Sequence, residues 1–411
     1  MAVGILQIPA LHEPVYNKLW FVASGSNSAQ ANFKLIALIK DLGGNTLAKV
    51  KKPTDPTYTT KAAFDIHRIL ETYVSHTIDI AADRITRSLN NYVPYVVEFG
   101  EEYGTPTPAE YYYSTETATQ LAVNIALSPQ EFLTFDATQY TVGSTTRKFL
   151  NRFKGTRKVF TTSKAFLYFM QEMNNATSKV TTVEIVAYDV SGNIVATSEI
   201  TQGFSNTRDD HTQLYFPSGP ANLNLIPQAQ LTSGTSGAII PATTSYYKIT
   251  LFFDTGSVYG EYLRYDIVDN CSRFTNYPIY WLGQFGNIEM YNFDRRSDIV
   301  NNIERSNFKT PLGGFLTATS YGYELTDRQE TQYNTEVTQS ITVNTDNLTE
   351  AEMELMQELS QSPQVWSLEG GVLIPIILTD STFTYKKKVN TKVFNFAMTF
   401  NYSSTLELQR Y

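Results

Sequence analysis

With one cysteine in 411 residues, Cys271, the chain can form no internal disulfide and no sulfur-rich zinc site, so packing must supply its stability. Charge is scarce as well. Charged residues make up 18% of the chain, against about 25% in an average domain. The 40 acidic and 32 basic side chains leave a net charge of −8, the wrong sign for a whole-surface attraction to phosphate backbones. Nucleic acid is therefore not expected as the main partner. Long apolar runs are missing: the longest, counting Pro375, is Val372–Leu378, far short of the roughly 20 residues that span a bilayer. The opening MAVGILQIPA carries no basic region, so neither a secretion signal nor a membrane span is expected.

Catalytic signatures are absent too. The 4 histidines, His12, His67, His76 and His211, form neither HxxxH nor HExxH. No GxxxxGK[ST], GxGxxG or GxSxG occurs, which leaves nucleotide binding and α/β-hydrolase chemistry without support. The expectation is a protein that is not an enzyme and uses no cofactor and no metal.

What is present favours strands. Tyr (27) and Phe (24) are abundant beside runs of Thr, Ser and Asn, and 42% of the chain is hydrophobic, enough to fold. Residues 16–23, 33–40 and 46–52 read as successive strands, the last two joined by Asp41-Leu-Gly-Gly-Asn45, a turn rich in residues that tolerate positive φ. The same device, a strand followed by an acid and a glycine, recurs in VEIVAYDVSG (183–192) and ITLFFDTG (249–256), and each copy predicts a hairpin. Phe64, His67, Leu70 and Tyr73 recur at three-residue spacing and suggest a brief helix. Residues 201–245, with Pro217, Pro220, Pro227 and Pro241, read as a long excursion.

Two capping boxes mark helix starts. Thr349 and Glu352 open a helix over 349–361, with Leu348 and Met353 at the staple positions, Leu355, Met356 and Leu359 as an apolar stripe, and Glu350, Glu354 and Glu358 on the surface. Ser128-Pro129-Gln130-Glu131 opens a shorter one. The chain closes with strand patterns at 372–379 and 383–389 and with the alternating series Phe394, Phe396, Met398, Phe400, Tyr402. The fold expected is mainly β: two or three β-sandwich-like modules with one capped helix packed on the C-terminal sheet. The boundaries expected are 1–155 for an N-terminal β-rich domain, 156–275 for a middle domain carrying the loop 201–245, and 276–411 for a C-terminal domain carrying the helix.

Side-chain clusters leave several readings open. Asp209-Asp210-His211 fits a ligand cluster or a solvated loop, and the polar surroundings favour the loop. Asp254, Glu261, Asp266 and Asp269 include carboxylates enough for a glycosidase pair, although turn and edge carboxylates that keep a β surface soluble explain them as well. Lys386-Lys387-Lys388, and the basic stretch Arg147 to Lys158 with Phe149, Phe153 and Phe160 interleaved, suit an acidic partner or an intersubunit surface. Tyr111, Tyr112 and Tyr113, and Tyr277, Tyr280 and Trp281, fit either a platform for sugar rings or strand residues in a core and subunit interface.

The early segment containing 16–21 and Asn32-Phe33, the block WLGQFGNIEMYNF (281–293) and the closing LTEAEMELMQELSQSPQVW (348–366) together resemble virion structural proteins of bacteriophages, particularly tail or baseplate-type proteins from phages of Bacteroidota. The resemblance spans mainly the first hundred residues and roughly the last 130. It implies a non-enzymatic building block, a homo-oligomer that also contacts other virion proteins, assembled in the host cytoplasm and residing in the virion. It leaves open the place in the particle: tail, baseplate, spike or minor capsid. The alternative is a receptor-binding or carbohydrate-binding spike whose aromatics meet a host-surface glycan.

Overall fold

The computed structural model describes residues 3–407 except 77, 142–146, 172–179, 202–212, 228–230, 235–236, 254–255, 257, 269–272, 351, 381–394 and 405. The chain is mainly β, with strands in several sheets and only short helices. It divides into two compact units, one of Met1–Asp269 with Leu282–Glu289, the other of Asn270–Trp281 with Met290–Tyr411.

The first unit begins as a sandwich. A three-stranded sheet contains Gly4–Gln7, Trp20–Ser24 and Lys61–Asp65. It faces a second sheet in which Lys34–Lys40 lies between Thr46–Lys52 and the long strand Tyr92–Tyr103. Strand alternation sends Leu35, Ala37, Ile39, Val97 and Phe99 to one side, where they are buried. There they join Phe21 and Phe64 in a single apolar cluster. Phe21 lies edge-on to Tyr95 at 6.3 Å, and Phe64 lies 5.9 Å from Phe99. Burying each such ring contributes on the order of 1.5–3 kcal/mol, so this layer holds the sheets together without a disulfide.

Further along, a six-stranded sheet is built around Val180–Tyr188, flanked by Ile194–Thr201 and Tyr246–Phe253, with Val258–Ile267 beyond. The stretch 201–245 differs from the expected excursion: it supplies the strand Gln213–Pro217, which is buried throughout and pairs with Phe166–Met170 and Thr86–Arg87. Its run Leu-Tyr-Phe is apolar enough for a core strand, and Pro217 stands at its end, where it interrupts nothing. The Tyr247 and Tyr265 hydroxyls both reach Ser218 at its end, at 2.6 and 2.9 Å.

The hairpins expected at 35–43 and 183–192 form, and they share one turn. Asp41 Oδ1 accepts the Asn45 N–H and Oδ2 accepts the Asn45 amide, each at 2.8 Å. Asp189 and Asn193 repeat the arrangement at 2.8 and 3.0 Å. Gly44 and Gly192 occupy the same place at φ 81° and 83°, where a Cβ would be strained. The third hairpin joins Tyr246–Phe253 to Val258–Ile267, although Asp254 itself lies outside the described residues. The brief helix at His67–Leu70 forms and continues as a 3₁₀ turn over Glu71–Tyr73.

The second unit is organised by one large sheet whose strand order runs Ile288–Phe293, Tyr277–Leu282, Val365–Glu369, Val372–Leu378, Ala397–Tyr402, Glu330–Asn344 and Ser297–Lys309. The expected closing alternation holds in part: Met398 and Phe400 are buried, while Phe394 and the pattern at 383–389 lie outside the described residues. Thr349 and Glu352 exchange the capping-box hydrogen bonds, at 2.8 and 3.3 Å, and the regular helix follows as Met353–Gln361. Leu355, Met356 and Leu359 are buried as expected. Glu358, expected on the surface, is buried as well, one turn from Leu355 on the helix.

Candidate functional site

The most unusual surface in the chain is a long β-arm. Its sequences, SDIVNNIERSNFK and ETQYNTEVTQSITVN, are dominated by Ile, Val, Thr and Asn and contain neither Gly nor Pro, so nothing interrupts strand geometry. Ser297–Lys309 and Glu330–Asn344 pair antiparallel from Ser297 opposite Val343 to Lys309 opposite Glu330. At a rise of about 3.3 Å per residue this ladder is roughly 40 Å long. Among the described residues only its base is covered: Val337, Ile341 and Val343 are buried together with Met398 and Phe400. Beyond that base almost every side chain on the outer strand is exposed.

Past the paired region, Gly314–Thr317 and Ser320–Gly322 form a small hairpin at the far end. Phe315, 78% exposed, stands edge-on to Tyr321 at 5.3 Å. Tyr323, Leu325 and Tyr333 are exposed beside them, and Phe308 and Tyr333 approach each other at 6.2 Å across the arm. Ile299, Val300 and Ile303 extend the apolar character along the outer strand. Contiguous exposed apolar surface of this kind marks an interaction site. The residues were passed over in the sequence because isolated aromatics among Asn and Thr look like ordinary strand residues. The available signal was the period-two series Tyr333, Thr335, Val337, Gln339, Ile341, Val343, too long for a strand buried along its whole length.

The aromatics singled out from the sequence are not brought together. Tyr280 and Trp281 are fully buried on Tyr277–Leu282, an inner strand of the large sheet, which agrees with their reading as strand residues of a core and corrects their reading as a platform for sugar rings. Tyr277 is half-buried. Tyr111 and Tyr112 are exposed on Ala109–Glu116, while the side chain of Tyr113 lies outside the described ones. The Tyr111 ring stacks on Tyr103 at 4.6 Å, which occupies one of its faces. Tyr112 belongs to a charged ladder, where its hydroxyl donates to Glu110 at 2.7 Å. Glu110 also receives Lys49 at 2.8 Å and Lys51 at 2.6 Å. These hydrogen bonds, that of Lys49 foremost, hold the Glu110 carboxyl down at about 2.

The remaining clusters are tied up internally. Arg147, Phe149, Phe153 and Phe160 are buried, Arg157 is buried against Glu289, and Arg152 reaches Gln284 and Glu131, so the basic stretch forms no continuous patch. Glu261 accepts the Phe149 N–H and Lys154, and Asp266 pairs with Arg264. Cys271, Asp209-Asp210-His211, Lys386-Lys387-Lys388, Asp254 and Asp269 lie outside the described residues. Among the described residues no three His, Cys, Asp or Glu side chains group as metal ligands, and no helix is long and apolar enough to cross a membrane.

A cleft of about 230 Å³ in the first unit is lined by Glu131, Asp136, Tyr140, Arg152, Lys154 and Phe285, among others. Its charges are already committed: Glu131 caps Pro129–Thr134, Asp136 accepts from Thr138, and Lys154 donates to Asn151. The sequence matches no protein-family model and no curated protein. The arm thus stands as the feature from which a function can be argued.

Proposed function

We propose that this chain is a structural subunit of a bacteriophage particle, of the tail or baseplate type, which works by joining copies of itself and other virion proteins. The observation that carries the reading is the arm: a ladder roughly 40 Å long, exposed along its outer strand and ending in Phe315, Tyr321, Tyr323 and Leu325. Exposed rings and aliphatic chains on a projecting hairpin stabilise nothing within one molecule and gain free energy only when another surface covers them. The sequence resemblance to phage virion proteins supplies the biological setting. The sugar-binding alternative has less to stand on, because Tyr280 and Trp281 offer no free ring face and Tyr111 offers a reduced one.

The experiment is to measure the mass of the purified full chain by light scattering over a wide concentration range, beside the variant Phe315→Ser/Leu325→Ser. Fully covering one such side chain is worth about 1.5–3 kcal/mol, so removing both weakens association by roughly 100-fold or more. The unfolding temperature should not move, since neither side chain is buried in the monomer. A chain that stays monomeric at every concentration, and that is absent from particles examined by electron microscopy, would contradict the proposal.

A further inference from the structure

The edge of the large sheet in the second unit indicates a further seat of self-association, beside the tip that carries Phe315 and Leu325; the inference rests on the reading of the chain as a subunit joined to its own copies. Ser297–Lys309 is the terminal strand of that sheet, and among the described residues no strand pairs with its outer side. In an antiparallel ladder every second residue turns its N–H and C=O away from the existing partner, so a strand of 13 residues offers an open row of hydrogen-bonding groups. The edge carries the charges Asp298, Glu304 and Arg305, yet two other devices that blunt such an edge are missing. The strand has no proline, and its only lysine is the terminal Lys309. The bulge near Ser306 places the extra residue, Tyr333, on the inner strand and leaves the outer one regular.

Side chains give a second, independent reason. Phe400, Ile341 and Ile299 stand in one row across the sheet, and their exposure rises from 0% to 2% to 52% toward the edge. Val337 and Ile303 form a second apolar row with the same trend, beyond the row of Asn301 and Gln339. Both rows therefore reach the edge with apolar side chains uncovered. A strand added to this edge continues them and shields Ile299 and Ile303 from water.

We infer that a second copy of this chain supplies that strand, edge against edge and antiparallel, about a two-fold axis that runs midway between the two copies of Ile303. Such an axis stands normal to the sheet and sets residues of one face opposite each other, so one residue must meet its own counterpart. Centring on Glu304 or Arg305 opposes like charges at the axis. Centring on Ile303, the midpoint of Ser297–Lys309, overlaps the whole strand and brings Ile303 against Ile303. It also sets Asn302 against Glu304, Asn301 against Arg305 and Asp298 against Phe308, so no like charges face each other.

The test uses the full chain carrying Cys271→Ser, so that an added thiol stands alone. Ile303→Cys places the thiols of two copies directly opposite, within reach of a disulfide, and mild oxidation is expected to give a covalent dimer. Phe308→Cys, whose counterpart in this register lies about ten residues along the strand, is expected to give none. Ile303→Lys sets two cations together and is expected to weaken association at least tenfold in sedimentation while leaving the unfolding temperature unchanged. If the chain assembles but the Ile303→Cys variant does not cross-link, or the Phe308→Cys variant cross-links equally well, the edge pairing is wrong and the assembly reading survives. If the chain sediments as a monomer at all concentrations, both fail.

Discussion

Glu289→Gln tests the energetics of the first unit most severely. Arg157 and Glu289 are separated by 132 residues in sequence, and both are buried. Arg157 donates to both carboxylate oxygens of Glu289, Nη2 to Oε1 at 2.8 Å and Nη1 to Oε2. Asn287 adds a third donor, to Oε1, at 2.7 Å. The substitution preserves shape but leaves a buried guanidinium without its counter-charge, and breaking a buried pair this way costs about 3–5 kcal/mol. Each kcal/mol lowers the unfolding temperature of a cooperative unit of 150–250 residues by about 2–4 °C, so the shift expected is roughly 6–20 °C. Arg157→Met/Glu289→Met removes both charges and fills their volume, and replacements of that kind are often nearly neutral. The double variant should therefore unfold at a higher temperature than Glu289→Gln. Scanning calorimetry with a parallel urea titration checks both statements. A Gln variant within about 1 kcal/mol of the native protein, or a double variant that loses more than the Gln variant does, would refute the reasoning.

Three further outcomes are expected. Gly286 has φ 70°, and a Cβ placed there would lie 2.4 Å from the Asn124 carbonyl oxygen, so Gly286→Ala should destabilise by about 2 kcal/mol or more; an unchanged urea midpoint would count against the close approach. Glu110 is held below its unfolded-state value, so its contribution is present above the ordinary carboxylate range and is lost as pH falls from there toward about 2. A side-chain NMR titration should show that depressed midpoint, rising toward the usual range in Lys49→Ala/Lys51→Ala; equal midpoints in the two proteins would reject the ladder. Thr349→Ala removes the hydroxyl that accepts the Glu352 N–H in the turn leading into Met353–Gln361 and should cost about 1 kcal/mol, read as a lower denaturant midpoint in the second unit, and no change would mean that this hydrogen bond is energetically idle.

Much of the local structure was legible because its causes lie within a few residues. Asp41 and Asn45 close their turn with one carboxylate and one amide, Asp189 and Asn193 do the same, and the glycine between them takes the one conformation that other residues resist. Ser128 with Glu131, and Thr349 with Glu352, announce helices through hydrogen bonds that span three positions. The strand Gln213–Pro217 was less legible, since five buried residues that end on a proline carry no alternation that separates a core strand from a loop.

The sequence alone determined that this is a mainly β protein with particular hairpins and capped helices, because strand alternation, turn chemistry and capping are written in neighbouring residues. Tertiary structure decided which side chains are covered. Trp281 and Tyr280 look from the sequence like Tyr111 and Tyr112, yet the first pair is enclosed by an inner strand and the second stands on a surface. Leu325 and Leu359 are the same residue type, but one is fully exposed on the arm and the other wholly buried on a helix. Exposure depends on where distant segments arrive, and pairings such as Arg157 with Glu289, 132 residues apart, are settled only in the folded chain.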